Sequence, residues 1–205
     1  MATNQQICFQ AAALVLSYPD RELLDRLDLI EASLAATPSA PYFAATIAHL
    51  RSMPLDGLQS FHVQEFDLSR RHAMHLTYWT DGDTRRRGEV LGAFKQAYRD
   101  SGLLVDLDGE LPDYLPMVLE FAARGDLDRG LVLLNGYRAS LELLRIGLTA
   151  DKLPHAGVVE AVCRQLAGPM ASSRSEVQRL YGVNDAPPAE MVGLEPYQIH
   201  TGRPL

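Results

Sequence analysis

Cysteine is scarce. Cys8 and Cys163 are the only two among 205 residues, and they form neither a C-x-x-C pair nor part of a ligand cluster. A cysteine-built metal site is therefore not on offer, and both are expected as half-buried thiols. Long apolar runs are missing too. No stretch approaches the ~20 residues needed to span a bilayer, and no basic flank precedes the first apolar run as it would in a signal peptide. The expectation is a soluble, cytoplasmic chain without membrane insertion. Basic charge is in deficit: 19 Lys and Arg against 26 Asp and Glu give a net charge of −7. That balance argues against general nucleic-acid binding, which needs a basic face to displace counterions.

Motifs for common chemistries are equally thin. The glycines are scattered and build no G-x-G-x-x-G or Walker loop. There is no G-x-S-x-G elbow and no H-E-x-x-H. No repeat of fixed period is evident. Strand signals are weak, with no sustained alternation, no Asn-Gly hairpin and no β-branched run.

What is present is helical spacing almost throughout. Thr3-x-x-Gln6 reads as a capping box, followed by a stripe of Ile7, Ala11, Leu14 and Tyr18. Pro19-Asp20 breaks the chain and restarts it with Leu23, Leu27, Ile30 and Leu34. A turn at 37–41 leads to Phe43, Ile47 and Leu50, and Pro54 opens a stretch with Leu58 and Phe61. Asp67 or Ser69 can cap a helix bearing Leu68, His72, His75, Leu76 and Trp79 on one face. A further helix holds Leu91, Phe94 and Tyr98, and Ser101-Gly102 suits its C-terminal end. Pro112 fits the first turn of a helix running to about Arg124. One long helix is expected from Leu127 through Leu148, and a last one around Val158, Val159, Val162 and Leu166.

The fold class is therefore all-α, a multi-helix bundle-like domain with short antiparallel connections over residues 1–168. Residues 169–205 contain five of the 12 prolines and little periodicity. They read as a flexible or loosely docked tail in which 174–182 can form a short helix.

Three polar groupings merit chemical attention. His72-x-x-His75, with His62 nearby, could hold a divalent ion in a metal-dependent helical enzyme; packing beside the core explains these histidines equally well. In "ELPDYLPMVLEFAARG" (110–125), Asp113, Glu120 and Arg124 fall on one side of a helix, with Leu115, Val118, Leu119 and Ala122 on the other. Glu120 and Arg124 can pair at i, i+4. Pro116, at the fourth or fifth helical position, would cost a hydrogen bond or kink the helix. Such a turn of acid, aromatic and kink suits a peptide groove, where Tyr114 supplies contact area and a carboxylate meets a cation. Third, "DGDTRRRGEVLGAF" (81–94) sets Arg85, Arg86 and Arg87 in the first turn of a helix. Cations there oppose the helix dipole by about 0.3–1 kcal/mol. Asp81 and Asp83 offset part of that charge, and at least one arginine is expected to fold back onto acids in the 106–113 region.

Two stretches together, "FDLSRRHAMHLTYWTDGDTRRRGEVLGAFKQAYRDSGL" (66–103) and "ELPDYLPMVLEF" (110–121), resemble the delta-subunit family of respiratory nitrate reductase, molybdenum-cofactor assembly chaperones among the redox-enzyme maturation proteins. The likeness covers roughly residues 5–168. The broader class usually has histidine where this chain has Tyr114, and tyrosine agrees with the nitrate-reductase branch. The resemblance implies an all-helical, non-catalytic chaperone without a resident cofactor. Its implied partner is the apo catalytic subunit of nitrate reductase, bound mainly through an N-terminal segment and held in the cytoplasm during cofactor insertion. Contact with the cofactor insertion machinery is a further implied association. Carried onto this chain, the client-contacting candidates are Asp113, Tyr114 and Glu120, with Asp81, Asp83 and Arg85, Arg86 and Arg87 as a second patch. A generic helical adaptor is the remaining alternative.

Overall fold

The computed structural model describes residues 2–81, 85–102 and 109–182, without the side chains of 81, 85 and 86. Twelve α-helices and two π-helical turns make up the described chain, and no strand is present among those residues.

Helix α1 (Asn4–Leu16) starts as its sequence dictates. The Thr3 hydroxyl accepts from the Gln6 N–H at 3.2 Å and the Gln6 side chain accepts from the Thr3 N–H at 3.0 Å. Its buried residues do not form the expected single stripe. Cys8, Phe9, Ala12, Val15 and Leu16 are shut in, Ile7 and Leu14 are half-buried, and Tyr18 is exposed. The reason is position: α1 is central and packs on several neighbours, so burial runs around most of its circumference. Both cysteines are free and buried, and burial first, then the Glu142 carboxylate, pushes the Cys163 thiol up to about 12.

Asp20 caps α2 (Arg21–Asp25), accepting from the Leu23 N–H at 2.7 Å. Leu27, Ile30 and Leu34 then bury one face of α3 (Leu27–Leu34). Helix α4 (Ala40–Ser52) contributes Phe43, Ile47 and Leu50, and α5 (Leu55–His62) passes into the first π-turn (Val63–Asp67). After α6 (Tyr78–Asp81) and α7 (Arg85–Asp100) come α8 (Leu115–Glu120) and the second π-turn (Phe121–Gly125). Helices α9 (Leu127–Gly136), α10 (Arg138–Ala150), α11 (Ala156–Arg164) and α12 (Arg174–Tyr181) complete the described chain. Gly130 lets α9 lie against the second π-turn, because a Cβ there would collide with both Cα and Cβ of Ala122.

Three expected helices come out differently. Residues 68–77 do not form the helix anticipated over 67–79; only Tyr78–Asp81 is helical. Their backbone is committed elsewhere. The Leu76 N–H donates to Asp113 O at 3.1 Å and the Leu115 N–H donates to Met74 O at 2.8 Å, so this segment runs antiparallel to 113–115. Tertiary pairing overrides the local apolar spacing. The helix placed at 112–124 begins at Leu115, which makes Pro116 its second residue. The N–H that proline lacks is one of the four that no helix satisfies internally, so neither a lost bond nor a kink results. The long helix over 127–148 is two, divided at Tyr137, whose φ of −108° and ψ of 27° are not helical. Gly136 immediately before it is a weak helix former, although Gly130 and Gly147, equally weak, stay inside α9 and α10.

Just after that break a charged cluster lies in the interior. Arg138 and Glu142 are almost wholly buried and meet at 2.7 Å, while Arg145 reaches the other Glu142 oxygen at 2.6 Å. The two guanidinium groups donate onward to the carbonyls of Cys163, at 2.5 Å, and of Pro169 and Ala171. Buried ions are tolerable only when paired and hydrogen-bonded in this way. The same bonds dock the chain beyond residue 168. Ala171 and Val177 are buried, and the Tyr181 hydroxyl donates to Pro169 O at 2.6 Å. Packing thus continues through 169–182; residues 183–205 lie outside the described chain.

Candidate functional site

Asp113 is the residue most altered by seeing it in place. It is not on a solvated helix face but is fully buried, one residue before the N-cap Tyr114. One carboxylate oxygen accepts from the Thr77 N–H at 3.0 Å and from the Thr77 hydroxyl at 2.6 Å; the other has no hydrogen-bond partner. Arg87 closes the group. Its Nε donates to the Thr77 hydroxyl oxygen at 3.0 Å and its Nη2 lies 3.9 Å from the Asp113 carboxylate. One arginine of the triplet therefore folds back onto an acid of the 106–113 region, which offsets the cost of a cation in the first turn of α7. Asp83 and the side chains of Asp81, Arg85 and Arg86 lie outside the described residues.

Tyr114 is half-buried, its ring 5.4 Å from that of His75. Burial first, then the Glu110 and Asp67 carboxylates, push its phenol above the usual range, so the hydroxyl stays protonated. His75 in turn stands 3.7 Å from Glu110. Glu120, at the far end of α8, is exposed and pairs with Arg124 at 3.2 Å, as the i, i+4 spacing requires. Glu120 lines a surface groove that includes neither Asp113 nor Tyr114, so the three carried-over candidates do not converge. Asp113 and Tyr114 belong to a buried junction, Glu120 to a surface.

That surface is an open groove of about 450 Å³ between α1, α3 and the second π-turn. Ile7, Ala11 and Leu14 of α1 face Leu29 and Ile30 of α3, and Glu120 and Arg124 stand at the edge. Part of the stripe read from the sequence of α1 thus lines a groove while also packing on the core. Thr77 and Leu29 went unnoticed in the sequence. Leu29 falls out of phase with the 23, 27, 30, 34 stripe, which was the available signal that an apolar side chain faces outward.

The three histidines proposed for a metal point to different places. His62 packs on Tyr18 and Phe66. His72 is held by Glu65 O at 3.1 Å and by the Asp151 carboxylate at 2.9 Å, and His75 is at Tyr114. His72 and His75 do not share a helix face, because the helix expected to carry them does not form. Among the described residues no three His, Cys, Asp or Glu side chains are grouped to hold a metal. Nor, among those residues, is any helix long and apolar enough to cross a membrane.

The described chain thus has a helical core, a buried carboxylate junction and an open, largely apolar groove with charged residues beside it. The chain belongs to the nitrate reductase delta subunit family, whose model matches residues 31–154. It is 40% identical over 158 residues to the nitrate reductase-like protein NarX of Mycobacterium tuberculosis, covering 77% of this chain but 24% of that protein. The chain therefore spans about a quarter of that relative's length. It is 34% identical over 170 residues to the probable nitrate reductase molybdenum cofactor assembly chaperone NarJ of Bacillus subtilis, covering 80% of this chain and 90% of that one. In fold it resembles a redox enzyme maturation protein from Archaeoglobus fulgidus, with a TM-score of 0.59 at 18% identity, covering 78% of this chain and 91% of the other.

Proposed function

We propose that this chain is a client-specific assembly chaperone. It binds the apo catalytic subunit of a nitrate reductase in the cytoplasm, chiefly through an N-terminal segment, and holds it open to insertion of the molybdenum cofactor. The cofactor is cargo of the client, and no bond is made or broken on the chaperone. The observation that carries this reading is near full-length similarity to the Bacillus assembly chaperone, 90% of which is covered. The architecture supports it, since a rigid helical core with an open apolar groove suits capture of a polypeptide segment.

Deletion of this chain should leave the reductase subunits present but the catalytic subunit without molybdenum, and the pure chaperone should retain the apo subunit in a pull-down. Full molybdenum content in the deletion strain overturns the reading. The arginines of α7 and the Asp113–Tyr114 junction are proposed as supports of client recognition, with Asp113 acting from inside the fold.

A further inference from the structure

We infer that the groove between α1 and α3 is covered by the chain's own C-terminal residues, with the stretch 190–199 seated on it in a non-helical form. The walls are apolar, with Ile7 and Leu14 of α1 facing Leu29 and Ile30 of α3. Leu29 is 67% exposed in a helix whose other leucines and isoleucine are buried. An exposed apolar wall of this kind is where another segment packs. The 23 residues after Gly182 lie outside the described chain, and their sequence fits the groove. Met191, Val192, Leu194, Tyr197 and Ile199 put five large apolar side chains within nine residues. Gly193 and Pro196 interrupt that run, which opposes a helix and favours an extended path. Charge agrees as well. Residues 183–205 hold Asp185, Glu190 and Glu195 against Arg203, whereas the lining holds Arg26 and Arg124 against Glu120. Each of these two arginines is paired with an exposed i, i+4 carboxylate on its own side, Glu22 or Glu120. Such pairs exchange partners at little cost. The segment also starts close by. The Tyr181 hydroxyl donates to Pro169 O, and the carbonyl of Gln165, a few residues earlier, accepts from the Gln5 side chain of α1 at 2.8 Å. Gln6, next along, lines the groove. A chain of that length reaches up to about 75 Å, while α1 rises only about 12 Å from Gln6 to Leu14. A tethered segment meets its site at an effective concentration in the mM range, so a Kd of ~0.1 mM keeps it seated about nine-tenths of the time. This goes beyond the chaperone reading: the groove is closed by its own chain until a guest displaces it.

The test uses the full chain alone. A benzophenone side chain in place of Leu194 should, on irradiation, cross-link within the same molecule to residues of α1 or α3. Leu29→Glu, at an exposed position, should cut that yield at least fivefold with helical content unchanged. Val132→Glu, at an exposed valine of α9, should leave it as it is. A thiol on the wall gives a second measure, since Cys8 and Cys163 are buried. Alkylation of Leu29→Cys should quicken at least threefold when Met191→Glu and Leu194→Glu are added, while Val132→Cys should keep its rate. Cross-links that map elsewhere, a yield that Leu29→Glu leaves intact, or an alkylation rate indifferent to residues 191 and 194 overturns the inference. Cross-links between molecules, rising with concentration, would make a second copy the occupant and overturn it too. None of these measurements involves the apo subunit, so the two readings fail separately. A chain that cross-links as expected yet does not retain the apo subunit upholds this inference and overturns the chaperone reading.

Discussion

The hydroxyl of Thr77 donates to the Asp113 carboxylate at 2.6 Å, and neither residue is exposed. The same hydroxyl oxygen accepts from Arg87. One threonine thus links the strand-like segment before α6, the start of α7 and the approach to α8. Thr77→Val keeps the shape and removes both bonds. It should cost about 1–3 kcal/mol, the usual penalty for a buried polar group left without a partner. Urea unfolding should show the loss, and Thr77→Ser should recover most of it. Equal stability of the valine variant would show the junction to be energetically idle.

Acid should destabilise the protein through three imidazoles. His155 lies with His49 at the seam of α4, α5 and α11, ring centroids 5.6 Å apart, beside Phe61 and Phe66. Burial, then the charges of His49 and His62, drive its imidazole down to about 3. Burial lowers His49 and His62 as well, against an opposing pull from Asp67 on His62. A folded-state value below the unfolded one means the unfolded chain takes up the proton first. The stabilising effect is full above the ordinary histidine value of about 6.5 and is lost as pH falls from there. For His155 alone the slope is on the order of 1 kcal/mol per pH unit. The urea midpoint should fall between pH 7.5 and 5, and His155→Phe should flatten that fall.

Glu142→Ala leaves Arg138 and Arg145 without their shared carboxylate inside the fold. A loss of about 3–5 kcal/mol is expected. Limited proteolysis should then cut within residues 165–182 first, because the carbonyls of that segment are held by the same two arginines. Unchanged proteolysis would detach the segment's docking from this cluster.

Gly130→Ala should cost about 1–3 kcal/mol by overpacking, since the new methyl group meets the Ala122 backbone and side chain. Gly92→Ala, on α7 with nothing within 4 Å, should instead be neutral or stabilising. Thermal melts of the two variants test the contrast.

Much of this architecture is readable from the chain. The Thr3–Gln6 box, the Asp20 restart and the 23, 27, 30, 34 stripe are local signals that mark the starts of α1 and α2 and the buried residues of α2 and α3, but not the break between those two helices at Arg26. Two of the failures share one cause. The segment 68–77 carries a helical pattern but pairs with 113–115, and nothing nearby in sequence announces that partner. Asp113 looks like a solvated acid for the same reason: its hydrogen bonds come from residue 77. Whether it is a contact or a support depends on contacts 36 residues away in the chain. The Glu120–Arg124 pair, wholly local, is read correctly.

The central place of α1 has a consequence for synthesis. Helix α1 rests on α8, the second π-turn and α11, partners that are made long after it. Until residues 115–164 have emerged, that helix has only part of its native cover, from α3 and its other early neighbours. For most of its own translation the chain therefore carries an apolar helix that is only partly covered, and closure over it comes late.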